Sequence, residues 1–138
     1  MMGKKNKEFI HITDEIVSRL KFEGFVVQRY DAHSTDSIYL KPDYGVSHSI
    51  RISDHSGKKY LKYTYNVIKD YVGKTFIKEG YLWRQYYSFS QIDKFVANIV
   101  KNRAWIKEKY HPDYEARMEE CRLENEGTRG FWSKAVIV

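Results

Sequence analysis

The sequence predicts an α+β domain: an N-terminal helix, an antiparallel sheet of about five strands, then a long helix and a shorter acidic helix with an extended tail. Three observations predict it. Apolar residues recur at helical spacing near the start and again after residue 90. Between them lie short β-branched and aromatic runs in period-two alternation. Turn sequences containing glycine or proline separate those runs. At 138 residues the chain has one domain's length, and a chain of this size buries roughly two-thirds of its unfolded surface without needing disulfides. Residues 1–7 read as a flexible basic stub ahead of it.

The first helix is expected from about Thr13 to Glu23. Thr13 serves as its N-cap, Asp14 and Glu15 sit where the dipole favours them, and Gly24 stops it. Phe9 and Ile12 extend the stripe of Ile16, Val17 and Leu20 toward an earlier start. Strands follow at 25–30, 37–41 and 47–53, the last two joined through Pro42-Asp43-Tyr44-Gly45. A turn at Ser56-Gly57 leads into 60–67, and 74–78 and 81–87 flank Glu79-Gly80 as a third hairpin. The long helix runs from about Gln91 to Tyr110, capped by Ser90, with Ile92, Phe95, Val96, Ile99 and Ile106 on its apolar face. Pro112 ends it. An acidic helix spans 113–126, and 131–138 reads as an extended tail.

Alternation sorts the strand residues into two faces. Ile38, Leu40, Ile50 and Ile52 form an apolar face that should close against the helix at 91–110. Tyr39, Lys41, Arg51, Tyr60 and Lys62 collect on the other. Cations interleaved with aromatic rings neutralise phosphates and stack bases; the plain alternative is a solvated face of ordinary cross-strand pairs. The charge is unevenly placed. The chain carries +6 overall, residues 1–112 carry +8, and residues 113–126 carry −4. The basic body favours anionic partners. Glu115, Glu119 and Glu126 on the acidic helix suit instead a positively charged channel.

Several chemistries are excluded or weakly supported. No phosphate-binding glycine loop and no nucleophile elbow is present. Cys121 is the only cysteine, so neither an internal disulfide nor a cysteine-built zinc site can form, and its acidic surroundings make it a poor nucleophile. His11-Ile12-Thr13 and His33-Ser34-Thr35 match H-x-T, as in the 2H phosphoesterases, but the copies are too close together to sit on separate lobes. Asp31, His33, Asp54 and His55 could supply metal ligands at strand ends, although no metalloenzyme spacing supports it. Ser53-Asp54-His55 is no triad, because neighbours on a strand point to opposite faces; Ser53 and Asp54 read first as shaping the strand exit. No apolar run approaches a membrane span and no secretory h-region is present.

Ser34-Thr35-Asp36-Ser37-Ile38-Tyr39, followed by Ile50-Arg51-Ile52-Ser53-Asp54-His55-Ser56, resembles a motif of small proteins from Gram-positive phages and mobile elements: S-x-(S)-x-Y, a hairpin, then I-R-x-S-(D/N)-H. It is similar to the broad-spectrum type II-A anti-CRISPR family of streptococcal phages. The resemblance covers about 25 residues and singles out Ser37, Ser53, Asp54 and His55. It implies a protein that binds a CRISPR effector (Cas9), its guide RNA, or both, stoichiometrically and blocks target cleavage in the cytoplasm of a bacterial host. Binding rather than turnover is the expectation, with no cofactor. The alternatives are a phage-encoded basic nucleic-acid-binding protein and a metal-dependent nuclease built on Asp31, His33, Asp54 and His55. Should neither charged surface bind, Trp83, Trp105 and Trp132 are the next candidates.

Overall fold

A computed structural model describes residues 6–33, 36–55, 58–66, 70–72, 75–77, 82–110, 113–127 and 130–138. The order is α1 (Lys7–Phe22), β1 (Val27–Asp31), β2 (Ser37–Pro42), β3 (Ser49–His55), β4 (Lys58–Asn66), β5 (Asp70–Val72), β6 (Thr75–Ile77), β7 (Leu82–Tyr87), α2 (Ile92–Tyr110), α3 (Tyr114–Gly127) and β8 (Val136–Ile137). The α+β class and its layout follow the expectation. Among the described residues, six strands form one antiparallel sheet in the order β7-β4-β3-β2-β1-β8.

Helix α1 starts six residues before Thr13. Asn6 is its cap and accepts from the Glu8 N–H at 2.8 Å, so Asn6 and Lys7 belong to the helix start rather than to a loose stub. Thr13 lies inside the helix and is buried; its hydroxyl donates back to the Phe9 carbonyl at 2.9 Å, the other use to which a threonine hydroxyl is put. At the far end Gly24 adopts φ +85° and donates to the Lys21 carbonyl, a left-handed stop that a glycine adopts without a Cβ penalty. The cap of α2 is Ser88, two residues before the expected Ser90. Ser88 and Gln91 form a reciprocal capping box, and a single 3-10 turn, Phe89–Gln91, leads into the helix.

The third expected hairpin is replaced by a different pairing. β6 pairs with β5, and β7 pairs with β4, so the two segments either side of Glu79-Gly80 belong to different sheets. Local turn chemistry near Glu79-Gly80 suggested neighbours; β4 offered β7 a longer ladder, Leu61↔Tyr87 to Asn66↔Leu82. Residues 79–80 and the turn at 56–57 lie outside the described residues. The tail is extended only at Val136–Ile137, which adds a short edge strand to β1; a 3-10 turn, Phe131–Lys134, precedes it.

The inner face of the sheet carries the core. Ile38, Leu40, Ile52 and Leu61 are fully buried and Ile50 nearly so. They share one cluster with Phe95, Val96 and Ile99 of α2 and with Phe9, Ile12, Ile16, Val17 and Leu20 of α1. Both helices therefore close this face, where the sequence assigned it to α2 alone. Tyr63 is also fully buried there; its hydroxyl donates to the Ser47 carbonyl at 2.8 Å and accepts from Asn102 at 2.6 Å.

A buried polar corner ties α2, α3 and the β2–β3 turn together. Asp43 and Tyr44 hold left-handed backbone, φ 49° and 59°, which costs a non-glycine residue about 1–2 kcal/mol. Asp43 is 2% exposed and offsets that cost with its contacts. Its carboxylate accepts from the Val26 N–H at 3.0 Å and from the Tyr114 hydroxyl at 2.7 Å, and its own N–H donates to the Val26 carbonyl. Arg103 stands 3.7 Å from the same carboxylate, with its guanidinium over the Phe25 ring and a hydrogen bond to the Glu23 carbonyl. Burial first, and the neighbouring Asp43 charge second, push the Tyr114 phenol well above its ordinary value.

Candidate nucleic-acid interface

The register builds the outer face strand by strand. Tyr30 pairs with Tyr39, Tyr39 with Arg51, Arg51 with Lys62, and Lys62 with Tyr86. The neighbouring row on this face runs Ser37, Ser53, Tyr60, and the next sets His55 opposite Lys58. Period-two geometry thus places Ser37, Tyr39, Arg51, Ser53 and His55 of the S-x-Y and I-R-x-S-x-H segments on a single surface. Asp54 is the exception. It has the parity of Ile50 and Ile52, and its carboxylate meets Lys59 at 3.4 Å across the hairpin. Ser53 and His55 thus face one way and Asp54 the other, as alternation along a strand requires; the turn at 56–57 that Asp54 was expected to anchor lies outside the described residues.

Arg51 is the centre of the surface. Its Nε and Nη2 donate to the Ser37 hydroxyl at 3.2 and 3.1 Å. Its guanidinium carbon lies 5.7 Å from the centroid of the Tyr39 ring and 5.8 Å from that of Tyr60, both within cation–π reach. Tyr60 meets Tyr86 edge to face at 5.3 Å, and Lys62 stands 5.9 Å over the Tyr86 ring. Tyr39, Arg51, Tyr60, Lys62 and Tyr86 thus make one continuous strip of alternating rings and cations. Ser37 and Ser53 lie at its floor, both fully buried, and the Ser53 hydroxyl has no hydrogen-bond partner among the described residues. Alternation alone assigned these serines to a wet face; both are buried, and the Arg51 guanidinium caps Ser37.

Lys41 has a different environment from the residues it was grouped with. Its ammonium donates to Asn125 of α3 at 2.8 Å and lies 4.6 Å over the Trp132 ring. Asn125 is itself buried and donates to Gln28 and to the Tyr44 carbonyl. Burial drives the Lys41 pKa below its ordinary value, more than the negative charges that Cys121 as thiolate and Glu124 would place beside it raise it. Lys41 is thus a docking point for α3 at one end of the outer face.

The acidic helix is less bare than its composition. Arg122 binds Glu119 and also Glu126, the latter at 2.6 Å; Arg117 binds Glu120 at 3.0 Å and approaches Glu124 at 3.7 Å. The hydrogen bond from Arg122 holds the Glu119 carboxyl below its usual range. Glu115 is exposed in the first turn. Four of the five glutamates of α3 are therefore already shared with arginines one or two turns away.

Of the tryptophans, Trp83 on β7 is 43% exposed, Trp105 packs against the small cluster of Ile106 and Tyr114, and Trp132 is half-buried beside Lys41. Asp31 pairs with Arg29 at 2.8 Å. Among the described residues, no three His, Cys, Asp or Glu side chains come together as a metal site, so Asp31, His33, Asp54 and His55 do not assemble one. No described helix is long and apolar enough to cross a membrane. Tyr30, Lys58 and Tyr86 belong to the outer surface and were missed in the sequence. For Tyr86 the signal was present, since Arg84 and Tyr86 alternate with Trp83, Gln85 and Tyr87, but the pairing of β7 with β4 was not.

The geometry defines an α+β protein with one sheet face closed by helices and the other lined with cations and tyrosines. Compared with protein-family models, with curated proteins and with solved structures, the chain finds no match.

Proposed function

We propose that this protein acts by binding nucleic acid through the outer face of its sheet, and that the ligand is the guide RNA of a Cas9-type CRISPR effector, whose target cleavage it thereby blocks. One observation carries the binding reading: Arg51 and Lys62, adjacent across β3 and β4, stand in register between Tyr39 and Tyr86. Two neighbouring cations on an open sheet neutralise phosphates, and rings beside them hold bases. The choice of guide RNA rests on the I-R-x-S-(D/N)-H resemblance, whose Arg51, Ser53 and His55 lie on this face. Contact between the acidic helix and the effector's channel is less favoured, because Glu119 and Glu126 are bound to Arg122.

The test is a charge reversal read in two assays, nucleic-acid retention and Cas9 cleavage. Arg51→Glu with Lys62→Glu should weaken RNA retention, flatten the salt slope by about 1–2 units and relieve inhibition. Reversing Glu115, Glu119 and Glu126 should change neither. The opposite pattern assigns the contact to α3 and to the effector protein. Retention that survives the sheet reversal with its salt slope intact overturns the reading.

A further inference from the structure

We propose that the nucleic acid taken by the outer face is single-stranded, with its bases stacked on Tyr39, Tyr60 and Tyr86 and a phosphate on the outward edge of Arg51. This rests on the nucleic-acid reading above and adds strandedness and a contact pattern to it.

The argument starts from Arg51. Its Nε–Nη2 edge is engaged with Ser37. Three of its N–H groups are left for a ligand, and the two at the end of the guanidinium, one on each Nη, still match two phosphate oxygens. The guanidinium is therefore held in place before a ligand arrives, which lowers the ordering cost of binding.

The rings decide the strandedness. Tyr39 and Tyr60 flank Arg51 and are only partly exposed; Tyr86 is 58% exposed. Half-sunk rings on a sheet do not protrude far enough to read the edges of bases in a duplex groove, and in a duplex the base faces are already stacked on one another. An unpaired strand offers free base faces, which stack on tyrosine or on a guanidinium plane. The strip crosses the strands β2, β3, β4 and β7. Three inter-strand spacings are about 14 Å, which holds up to about four nucleotides at the stacked rise of roughly 3.4 Å.

The probes are a fluorescently labelled eight-nucleotide RNA, a DNA of the same sequence, and each annealed to its complement, all titrated at one salt concentration. The single strands should bind at least about 10-fold more tightly than the duplexes, since base–ring stacking is available to them alone. Replacing Tyr39, Tyr60 and Tyr86 together by Leu should weaken single-strand binding about 100-fold, leave the salt slope unchanged and leave duplex binding unchanged. Tyr86→Leu alone, at an exposed edge position, should cost about 5-fold and covers the case in which the triple variant does not fold. Duplexes that bind as tightly as single strands, or leucine variants that retain full single-strand affinity, overturn this inference; if the Arg51→Glu, Lys62→Glu reversal still weakens binding, the nucleic-acid reading survives it. If neither strand form binds, both fall together.

Discussion

The two faces of the sheet come from the same residues read alternately, yet they are held together differently. The inner face is apolar, closed by α1 and α2, and its residues from Ile38 to Leu61 have at most 1% exposure. The outer face has cations over rings, a serine floor, and α3 docked at one end, where Asn125 meets Lys41 and Gln28. The first face gains stability from burial. The second stays polar and partly open, with rings and charges already arranged. The lesson is one of division: a β-strand can give one parity to the core and the other to a ligand, because neighbours on the strand never share a face.

The comparison can be broken at its hinge first. Asp43→Ala removes the acceptor of Tyr114 and of the Val26 N–H, leaves Arg103 beside an empty corner, and puts Ala at φ 49°. A loss of about 3–5 kcal/mol is expected in denaturant unfolding, as for a buried pair that loses one partner. A change below about 1 kcal/mol would mean the corner does not join the elements. Next, Ile50→Ala on the inner face should cost about 2–5 kcal/mol, while the refolded variant keeps its salt-dependent RNA retention. Loss of retention without loss of stability would show that the faces are not separable.

Asp54→Ala tests the motif residue that turned inward. Loss of its pairing with Lys59 should lower stability by about 0.5–2 kcal/mol without altering binding. Tyr86→Ala is the smallest expected effect on stability, about 0.5–1.5 kcal/mol for the lost contact with Tyr60. Its effect on RNA binding should be measurable all the same, which is the sharpest contrast between the faces.

The pH dependence bears on the corner. The phenols of Tyr63 and Tyr114 are both raised above the ordinary value of 10.0, each first by burial. The folded state then holds protons that the unfolded state releases, so stability is intact below pH 10 and falls as pH rises above it. Tyr114→Phe should make that alkaline decline shallower, although it lowers stability at neutral pH by removing the bond to Asp43. Stability profiles of equal slope above pH 10 would show that Tyr114 is not the group being titrated. His48 acts on the other side: burial lowers its pKa below 6.5, so stability falls as pH drops through and below that value.

The sequence by itself determined the α+β class, the two parities of β2, β3 and β4, and the positions of α2 and α3, because periodicity and turn residues are local signals. It also placed Tyr39, Arg51, Tyr60 and Lys62 on one surface. The tertiary structure decided what was not local. It paired β7 with β4, which brought Tyr86 beside Tyr60 and Lys62 from more than twenty residues away. It docked α3 on Lys41, removing that cation from the group alternation had assigned it to. And it buried Asp43, which reads in sequence only as a turn residue, because a carboxylate at a turn is covered only when distant helices bring it a hydroxyl and a guanidinium.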